Sequence, residues 1–295
     1  MMPEIDGETA LRFTPITLSM MDRVEGIRAA SGSTLYVYTF ASMFVWQEAE
    51  GYAICLSDDA FVVRHGVRGE GVYMFPCGSA AGKKRLIDAL VRDGSPSFSY
   101  VTDEDRAFLE SEYPGKFSFT ECRDDYPYLY DRADQIALSG KNYKTLKHHV
   151  KTGLASAQVW TWEFLTSENV GRAIDITREW AQARTVGDLA DTEAAETALR
   201  YFETLKLWGV LFKADGVDAA YVAGIFVTPE IFDTSFCKAL DKRLDSFIKW
   251  ELCRLLPPEV KTIDSEEDMG IEGLRTHKLM RQPKELIRIW KGSPQ

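Results

Sequence analysis

Two similar series of helix-length and strand-length segments follow one another along the chain. The first half reads helix, short helix, three strands, helix, strand, helix and strand, and its three-strand set spans Tyr52–Leu56, Ala60–Arg64 and Gly71–Phe75. The second half reads strand, two helices, three strands, helix and strand, with DG and TPE turns between its three strands. This order predicts an α+β fold with α/β-type layers, in which two copies of one unit each form a mixed, mostly antiparallel sheet flanked by helices.

A change of composition marks the junction between the two halves. The segment RDDYPYLYDRADQIALSGKNYKTLKHHVKTG is polar at first and then densely basic. A chain of 295 residues is long enough for two domains. We therefore expect an N-terminal domain over residues 1–130 and a C-terminal domain over residues 131–295 that carries the active cleft.

The overall charge limits the partners of the chain. Its net charge is −10, and this repels DNA and anionic membranes except where a local basic groove exists. No apolar run reaches the length of a membrane span, and MMPEIDGETA contains no signal-peptide core. These features predict a cytoplasmic protein without an integral membrane segment.

Cysteine and histidine spacings give no sign of a metal site. The five cysteines are scattered without a CxxC pair, and the four histidines show no HExxH spacing. We expect free, buried thiols in a reducing compartment and no bound metal.

A glycine loop lies between a strand and a helix in the first half. In FPCGSAAGKK, Gly78 and Gly82 are separated by three residues, and Lys84 stands where a P-loop has a hydroxyl. The pattern is therefore not that of an NTPase. Two interpretations remain: Gly78 and Gly82 form an anion site at the helix N-terminus, or they form a plain helix entry.

A row of lysines follows the junction. Lys141, Lys144, Lys147 and Lys151 recur at helical spacing in KNYKTLKHHVKTG. The row is either a solvated helix face or a basic strip facing a polyanion, such as CoA phosphates, a tRNA backbone or a lipid headgroup.

The stretch SEEDMGIEGLRTHKL combines acids, two glycines and a basic helix start. Glu267 and Asp268 suit the positive end of a helix, or they bind a substrate ammonium group and remove its proton. Arg275 and Lys278 are three residues apart on the predicted helix, a spacing that places both near one phosphate or carboxylate.

Three blocks together resemble a known family. YTFASMFVW, EYPGKFSFTECRDDYPYLYDRADQIALSGKNYKTLKHHV and EEDMGIEGLRTHKL occur in the order found in the soluble C-terminal domain of bacterial phosphatidylglycerol lysyltransferases and its stand-alone relatives. The similarity spans roughly residues 13–290. The resemblance implies two tandem GNAT-like (GCN5-related acetyltransferase) domains, with the active cleft bordered by EEDMGIEGLR and with Lys278 at a position where the family carries a lysine.

The chain also departs from these patterns. KLMRQP replaces the KLSYxP common in the family, so Met280 and Arg281 stand in place of the serine and tyrosine. The CoA pyrophosphate loop of acetyltransferases, [RQ]xxGx[GA], is missing from KALDKRLDSF, where it is expected.

The resemblance leads to a GNAT-type acyl- or aminoacyltransferase. It would move an acyl group from acyl-CoA or aminoacyl-tRNA to the amine or hydroxyl group of a small-molecule acceptor. We expect Glu267, Asp268 and Lys278 to be catalytic, and five further residues to bind the donor: Lys144, Lys147, Arg275, Gly78 and Gly82. Two other hypotheses are a catalytically inactive GNAT scaffold that binds a metabolite or acts as a regulator, and a nucleic-acid-binding module, which fits the lysine row but not the net charge.

Overall fold

The chain divides into two compact units, described here in a computed structural model covering residues 10–183 and 189–295. The first unit runs to Tyr126 and also includes Arg288–Gln295, and the second is Pro127–Ile287. Within the described ranges, no helix combines the length and the apolarity needed to cross a bilayer.

The first unit begins with two helices and a set of short antiparallel strands. Its elements are α1 (Met21–Ser31), α2 (Phe40–Glu50), β1 (Ala53–Leu56), β2 (Ala60–Arg64), β3 (Val72–Met74), β4 (Cys77–Gly78), α3 (Ala80–Asp93), β5 (Ser97–Val101), α4 (Asp103–Glu112) and β6 (Phe117–Glu121). Thr102 followed three residues later by Asp105 predicts a capping box at the start of α4. The structure confirms it, because each of these side chains accepts a hydrogen bond from the backbone N–H of the other residue.

The second unit contains a longer sheet with helices packed against it. Its elements are β7 (Tyr128–Asp131), α5 (Arg132–Ala137), α6 (Lys144–Leu154), β8 (Trp160–Phe164), α7 (Val170–Gln182), α8 (Leu189–Arg200), β9 (Trp208–Ala214), β10 (Val217–Thr228), β11 (Ile231–Ala239), α9 (Asp245–Leu255), β12 (Thr262–Asp264), α10 (Glu272–Met280) and β13 (Glu285–Leu286). The strand order is β13-β7-β12-β11-β10-β9-β8. The two mixed sheets with flanking helices confirm the predicted fold class.

The C-terminal strand leaves the second unit. β14 (Trp290–Pro294) pairs antiparallel with both β5 and β6, so the first sheet has the order β1-β2-β3-β5-β14-β6, with β4 attached to β2. The units therefore differ from the expected domains: the division falls just after Tyr126, and residues 288–295 belong to the first unit. The reason is backbone pairing over a long sequence separation, which local sequence patterns do not encode.

Some segment boundaries also differ from expectation. The sequence predicts a helix over Glu193–Lys206, whereas the corresponding helix α8 runs from Leu189 to Arg200. The sequence also predicts a loop over Thr185–Asp191, and most of that range lies outside the described residues. The lysine row begins in a 3₁₀ turn, Lys141–Tyr143, before α6 starts.

Each sheet contains one short parallel ladder among its described strands. In the second unit, β11 and β12 are paired from Ile231 opposite Thr262 to Asp233 opposite Asp264. β12 ends there, whereas β11 continues to Ala239. The two strands thus diverge immediately after the two aspartates, and the first unit has a similar three-pair ladder between β3 and β5.

A candidate active site where two parallel strands diverge

Two aspartates face each other at the end of the parallel ladder in the second unit. Asp233 of β11 and Asp264 of β12 are register partners, and neither side chain is exposed to solvent. The Oδ1 atom of Asp233 and the Oδ2 atom of Asp264 are buried without a hydrogen-bond partner. Buried carboxyl oxygens in folded proteins are nearly always satisfied, so these two atoms mark a candidate site. We call Asp233 and Asp264 the acid pair.

A bulge in β11 shapes the strand beside the acid pair. Ile225 pairs with Asp233 but Ala223 pairs with Phe236, so β11 has one more residue than β10 in this interval. Gly224 lies opposite the bulge, and a Cβ atom at that position would be 1.9 Å from the carbonyl oxygen of Asp233. Only glycine permits this close approach of the two backbones.

Hydrogen bonds fix the other oxygen of each aspartate. The Ser235 hydroxyl donates to Oδ2 of Asp233 at 2.6 Å, and the backbone N–H of Glu266 donates to Oδ1 of Asp264 at 2.9 Å. Each carboxyl group is thereby oriented. One of its oxygen atoms accepts a hydrogen bond from the protein, and the other has no donor among the described residues.

Lys278 of α10 contributes the nearby positive charge. Its side chain is almost fully buried, and Nζ donates to the backbone carbonyl groups of Ser265 and Glu267. Burial lowers the pKa of Lys278, while Glu266, Glu267 and Asp264 oppose that effect. The lysine therefore ties the segment after β12 to α10 and partly neutralises the surrounding acids.

Burial makes the acid pair hard to ionise. It raises the pKa of Asp264 to about 7, even though the hydrogen bond from Glu266 and the charge of Lys278 act in the opposite direction. The pKa of Asp233 is also raised well above its ordinary value, by burial first and then by the charge of Asp264. Two carboxyl groups that cannot both be charged hold a proton between them near neutral pH, which is a suitable state for acid–base chemistry.

Asp268 stabilises the turn before α10. It is completely buried and forms a two-pronged ion pair with Arg275, with distances of 2.7 Å (Nη2 to Oδ1) and 2.9 Å (Nε to Oδ2). Tyr128 and the N–H of Gly270 also donate to it. Burial opposes the ionisation of Asp268, but these donors outweigh it and hold its pKa below the ordinary value.

The residues predicted as site residues in SEEDMGIEGLRTHKL therefore have different partners in the structure. Asp268 and Arg275 bind each other, and Lys278 binds backbone carbonyl groups. Glu267 is half-buried, and its carbonyl oxygen is held by Lys278. These contacts hold the segment beside the acid pair in place. The catalytic roles predicted for Glu267, Asp268 and Lys278 and the donor-binding role of Arg275 stay predictions.

The glycine loop of the first unit, for which an anion site was one interpretation, is closely packed. A Cβ atom on Gly78 would lie 2.3 Å from the carbonyl oxygen of Asp59, and one on Gly82 would lie 2.6 Å from the Ala60 Cβ. The Asp59 carboxylate accepts hydrogen bonds from Ser79 and Arg85 beside the start of α3. Gly78 and Gly82 thus allow close packing, and a carboxylate of the protein already lies where an anion would bind.

Carboxylates also lie at the N-terminus of α9, where acetyltransferases carry their pyrophosphate loop. Asp241 accepts the backbone N–H of Arg243 at 2.9 Å. Asp245, the first residue of α9, contacts Lys249 at 2.7 Å and His277 at 3.0 Å. A carboxylate of the protein therefore already occupies a backbone N–H group that a pyrophosphate would need at this helix end.

Lys144 and Lys147 lie on the exposed face of α6, and no ion pair to either is found among the described residues. No group of three or more His, Cys, Asp or Glu side chains in those same ranges is arranged to hold a metal.

The acid pair was missed by the sequence analysis, although a signal for it exists. Asp233 interrupts the strand segment IFDTSF, and Asp264 is the last residue of the short strand that begins at Thr262. A carboxylate inside a strand that is otherwise apolar predicts a buried polar group, which needs a structural or functional partner.

Comparisons with known proteins show the family and the fold of the chain. The family model "Phosphatidylglycerol lysyltransferase, C-terminal" matches residues 28–290. No curated protein sequence matches the chain. A conserved Bacteroides thetaiotaomicron protein of unknown function is 26% identical, with a TM-score of 0.87 over 97% of this chain and 100% of that one.

Two more distant structures share the fold. The C-terminal domain of a putative lysylphosphatidylglycerol synthetase from Agrobacterium fabrum is 11% identical, with a TM-score of 0.64 over 94% of this chain and 92% of that one. L-PGS from Bacillus licheniformis is also 11% identical, with a TM-score of 0.58 over 84% of this chain and 89% of that one.

Proposed function

We propose, from the premise that this chain belongs to the phosphatidylglycerol lysyltransferase C-terminal family, that its second unit transfers an aminoacyl group from an ester donor to an amine or hydroxyl acceptor. The family and the fold of two GNAT-like units support a GNAT-type transferase in general. The donor, the acceptor and the residue roles given below are our proposal.

The acid pair is the observation that carries the proposal. Asp264 has an unpaired oxygen and a pKa of about 7, so it is poised to accept a proton at neutral pH. Asp233 holds the shared proton, and Ser235 and the bulge in β11 orient it. These residues occupy the gap between the diverging strands β11 and β12.

In the proposed reaction, Asp264 acts as the general base. Its carboxylate removes the proton of the acceptor N–H or O–H group while the acceptor atom bonds to the acyl carbon. The bond from that carbon to the oxygen of the donor ester then breaks, and the departing oxygen takes up a proton. General-base catalysis of this kind typically accelerates a reaction by about 10²–10⁴-fold.

An ester donor is favoured over a CoA thioester. At the start of α9, the Asp241 carboxylate already accepts the backbone N–H of Arg243, a group that a CoA pyrophosphate would need. The family model bears the name of a lysyltransferase, and an aminoacyl ester is the donor consistent with that name.

A transfer assay with two donor classes tests the proposal. The protein is incubated with phosphatidylglycerol micelles and tRNAs charged separately with radiolabelled amino acids, and label is followed from tRNA into lipid or other acceptors. In parallel, acetyl-CoA is supplied and release of its thiol is measured. We expect consumption of at least one aminoacyl ester, and no thiol release above the rate without protein.

The variant Asp264→Asn keeps the shape of the side chain and removes the base. It should lower the rate by about 100-fold or more, whereas Glu259→Gln, at an exposed acid, should leave the rate unchanged. Equal rates for Asp264→Asn and the wild type would show that the acid pair is not the base. Thiol release dependent on the protein would show that the donor is an acyl-CoA.

The alternative is a binding protein on the same scaffold, favoured by the missing pyrophosphate loop. It predicts that no donor is consumed and that a small metabolite raises the melting temperature, with the increase lost in Asp264→Asn.

A further inference from the structure

One surface of the second unit combines exposed lysines with exposed apolar side chains. It is formed by α6 and the edge strand β8, and it comprises Lys144, Lys147, Lys151, Leu154, Trp162 and Phe164. We call it the α6–β8 surface. We propose that it docks the protein on an anionic lipid bilayer.

Charge is the first argument. No Asp or Glu occurs between Asp134 and Glu163, although the chain has 45 acidic residues among 295. Lys144, Lys147 and Lys151 are exposed, and no salt bridge to any of them is found in the described residues. In a chain of net charge −10, this is a local site of positive potential.

The helix places these cations in one row. Residues 144, 147, 151 and 154 follow one another at helical spacing, so the three lysines and Leu154 lie along one exposed face. Leu146, Val150 and Gly153 form the buried face. A Cβ atom on Gly153 would lie 2.6 Å from the Phe247 Cβ, so the helix is closely packed on α9.

Apolar side chains continue the surface along β8. The indole of Trp160 donates to the carbonyl oxygen of Leu154 at 2.9 Å and packs on Phe247 at 4.8 Å between ring centroids. Trp162 and Phe164 follow at alternate positions, and they are therefore on the same side of the strand. Their rings are 5.1 Å apart.

These apolar groups remain largely in water. Leu154 is 46% exposed, Trp162 43% and Phe164 46%. Three such groups in one surface exceed the single exposed apolar residues that are normal on protein surfaces. Two nearby carboxylates already have partners in the protein. Asp215 accepts the backbone N–H groups of Gln158 and Val159, and Glu163 pairs with Arg172 and Lys213.

A bilayer fits this combination better than RNA does. Anionic headgroups attract lysines, and Trp, Phe and Leu lose exposed apolar area by entering the headgroup–acyl boundary. RNA would meet the lysines and stack on the rings, but it offers no apolar phase to Leu154. The inference is independent of the reaction proposed above.

Vesicle co-sedimentation tests the inference. Wild-type protein should bind phosphatidylglycerol–phosphatidylcholine vesicles and not vesicles of phosphatidylcholine alone. Each lysine near an anionic surface contributes roughly fivefold, so Lys144→Glu/Lys147→Glu should weaken binding by about 25-fold or more. Trp162→Ser/Phe164→Ser should also reduce binding at constant charge. The control Lys116→Glu/Lys291→Glu makes the same charge change at exposed lysines of the first unit and should bind as the wild type does.

Three results would overturn the inference. One is the absence of wild-type binding to the anionic vesicles. Another is unchanged vesicle binding by either double variant of the surface. The third is a loss of tRNA binding, in a filter assay, by the Lys144/Lys147 variant while its vesicle binding persists, which would assign the surface to RNA. Unchanged melting temperatures would verify that the variants are folded.

Discussion

Asp233 and Asp264 lie directly opposite each other in adjacent parallel strands, fully buried, and each has one carboxyl oxygen without a hydrogen-bond donor. Like charges in register destabilise a sheet, so this arrangement lowers stability unless the pair retains a proton. The two strands diverge immediately after these residues. The acid pair therefore lies at the end of the parallel ladder of the second unit.

The free energy of unfolding should fall as pH rises from about 4 to about 7. Asp264 has a pKa of about 7 in the folded protein and an ordinary value of 3.8. Between these values the folded state binds more protons than the unfolded state, so stability decreases with pH. Urea denaturation at pH 5 and pH 8 measures this decrease.

Asp264→Asn should flatten that dependence and, at pH 8, raise the free energy of unfolding by about 1 kcal/mol or more. Glu259→Gln serves as the matched control at an exposed acid. A slope as steep in Asp264→Asn as in the wild type would contradict the assignment.

The rate of transfer should rise with pH through about 7, because only the ionised form of Asp264 accepts a proton. The residual activity of Asp264→Asn should not show this rise of the rate with pH. Initial rates between pH 5.5 and about 8.5, with donor hydrolysis subtracted, provide the measurement. If the rate of both proteins rose with pH in the same way, the rise would come from a group other than Asp264.

Lys278→Met should destabilise the second unit strongly. Removing the ammonium group leaves the nearby acids without a counter-charge and leaves the carbonyl groups of Ser265 and Glu267 without their donor. Loss of one partner of a buried ionic cluster typically costs about 3–5 kcal/mol. Chemical denaturation should show this loss, and adding Asp264→Asn should recover part of it. A double variant no more stable than Lys278→Met would argue against coupling between the two residues.

Asp268 and Arg275 should be coupled energetically. A double-mutant cycle with Asp268→Asn and Arg275→Met is expected to give an interaction of about 1–3 kcal/mol. The lowered pKa of Asp268 means that its stabilising effect is present above the ordinary value of 3.8 and is lost as pH falls below it. The coupling measured by denaturation should therefore vanish in strong acid. Additive effects at pH 7 would instead indicate that the ion pair does not hold the turn.

Gly78→Ala should destabilise the first unit without affecting donor binding. Gly78 has a φ of 143°, and an added Cβ would lie 2.3 Å from the Asp59 carbonyl oxygen. Gly26→Ala is the control, because the space around this helical glycine is open, and it should be neutral or stabilising by about 0.5–1 kcal/mol. Thermal unfolding separates the two. Equal melting temperatures would show that the loop tolerates a side chain.

Sequence alone determined what depends on local order. The alternation of strand and helix segments predicted two mixed sheets with flanking helices, and three blocks of residues identified the family. The capping box at Thr102 and Asp105 was predicted correctly, because all its atoms lie within one helical turn.

The tertiary structure decided what depends on contacts between distant residues. Asp233 and Asp264 become neighbours only when β11 and β12 pair, and β14 joins the first unit only by pairing with β5 and β6. The sequence shows which residues are charged but not which groups they bind. Asp268 and Lys278 carry the charges expected of a site. In the folded protein Asp268 binds Arg275, and Lys278 binds backbone carbonyl groups. Burial removes the alternative of water, so the fold assigns each charged group its role.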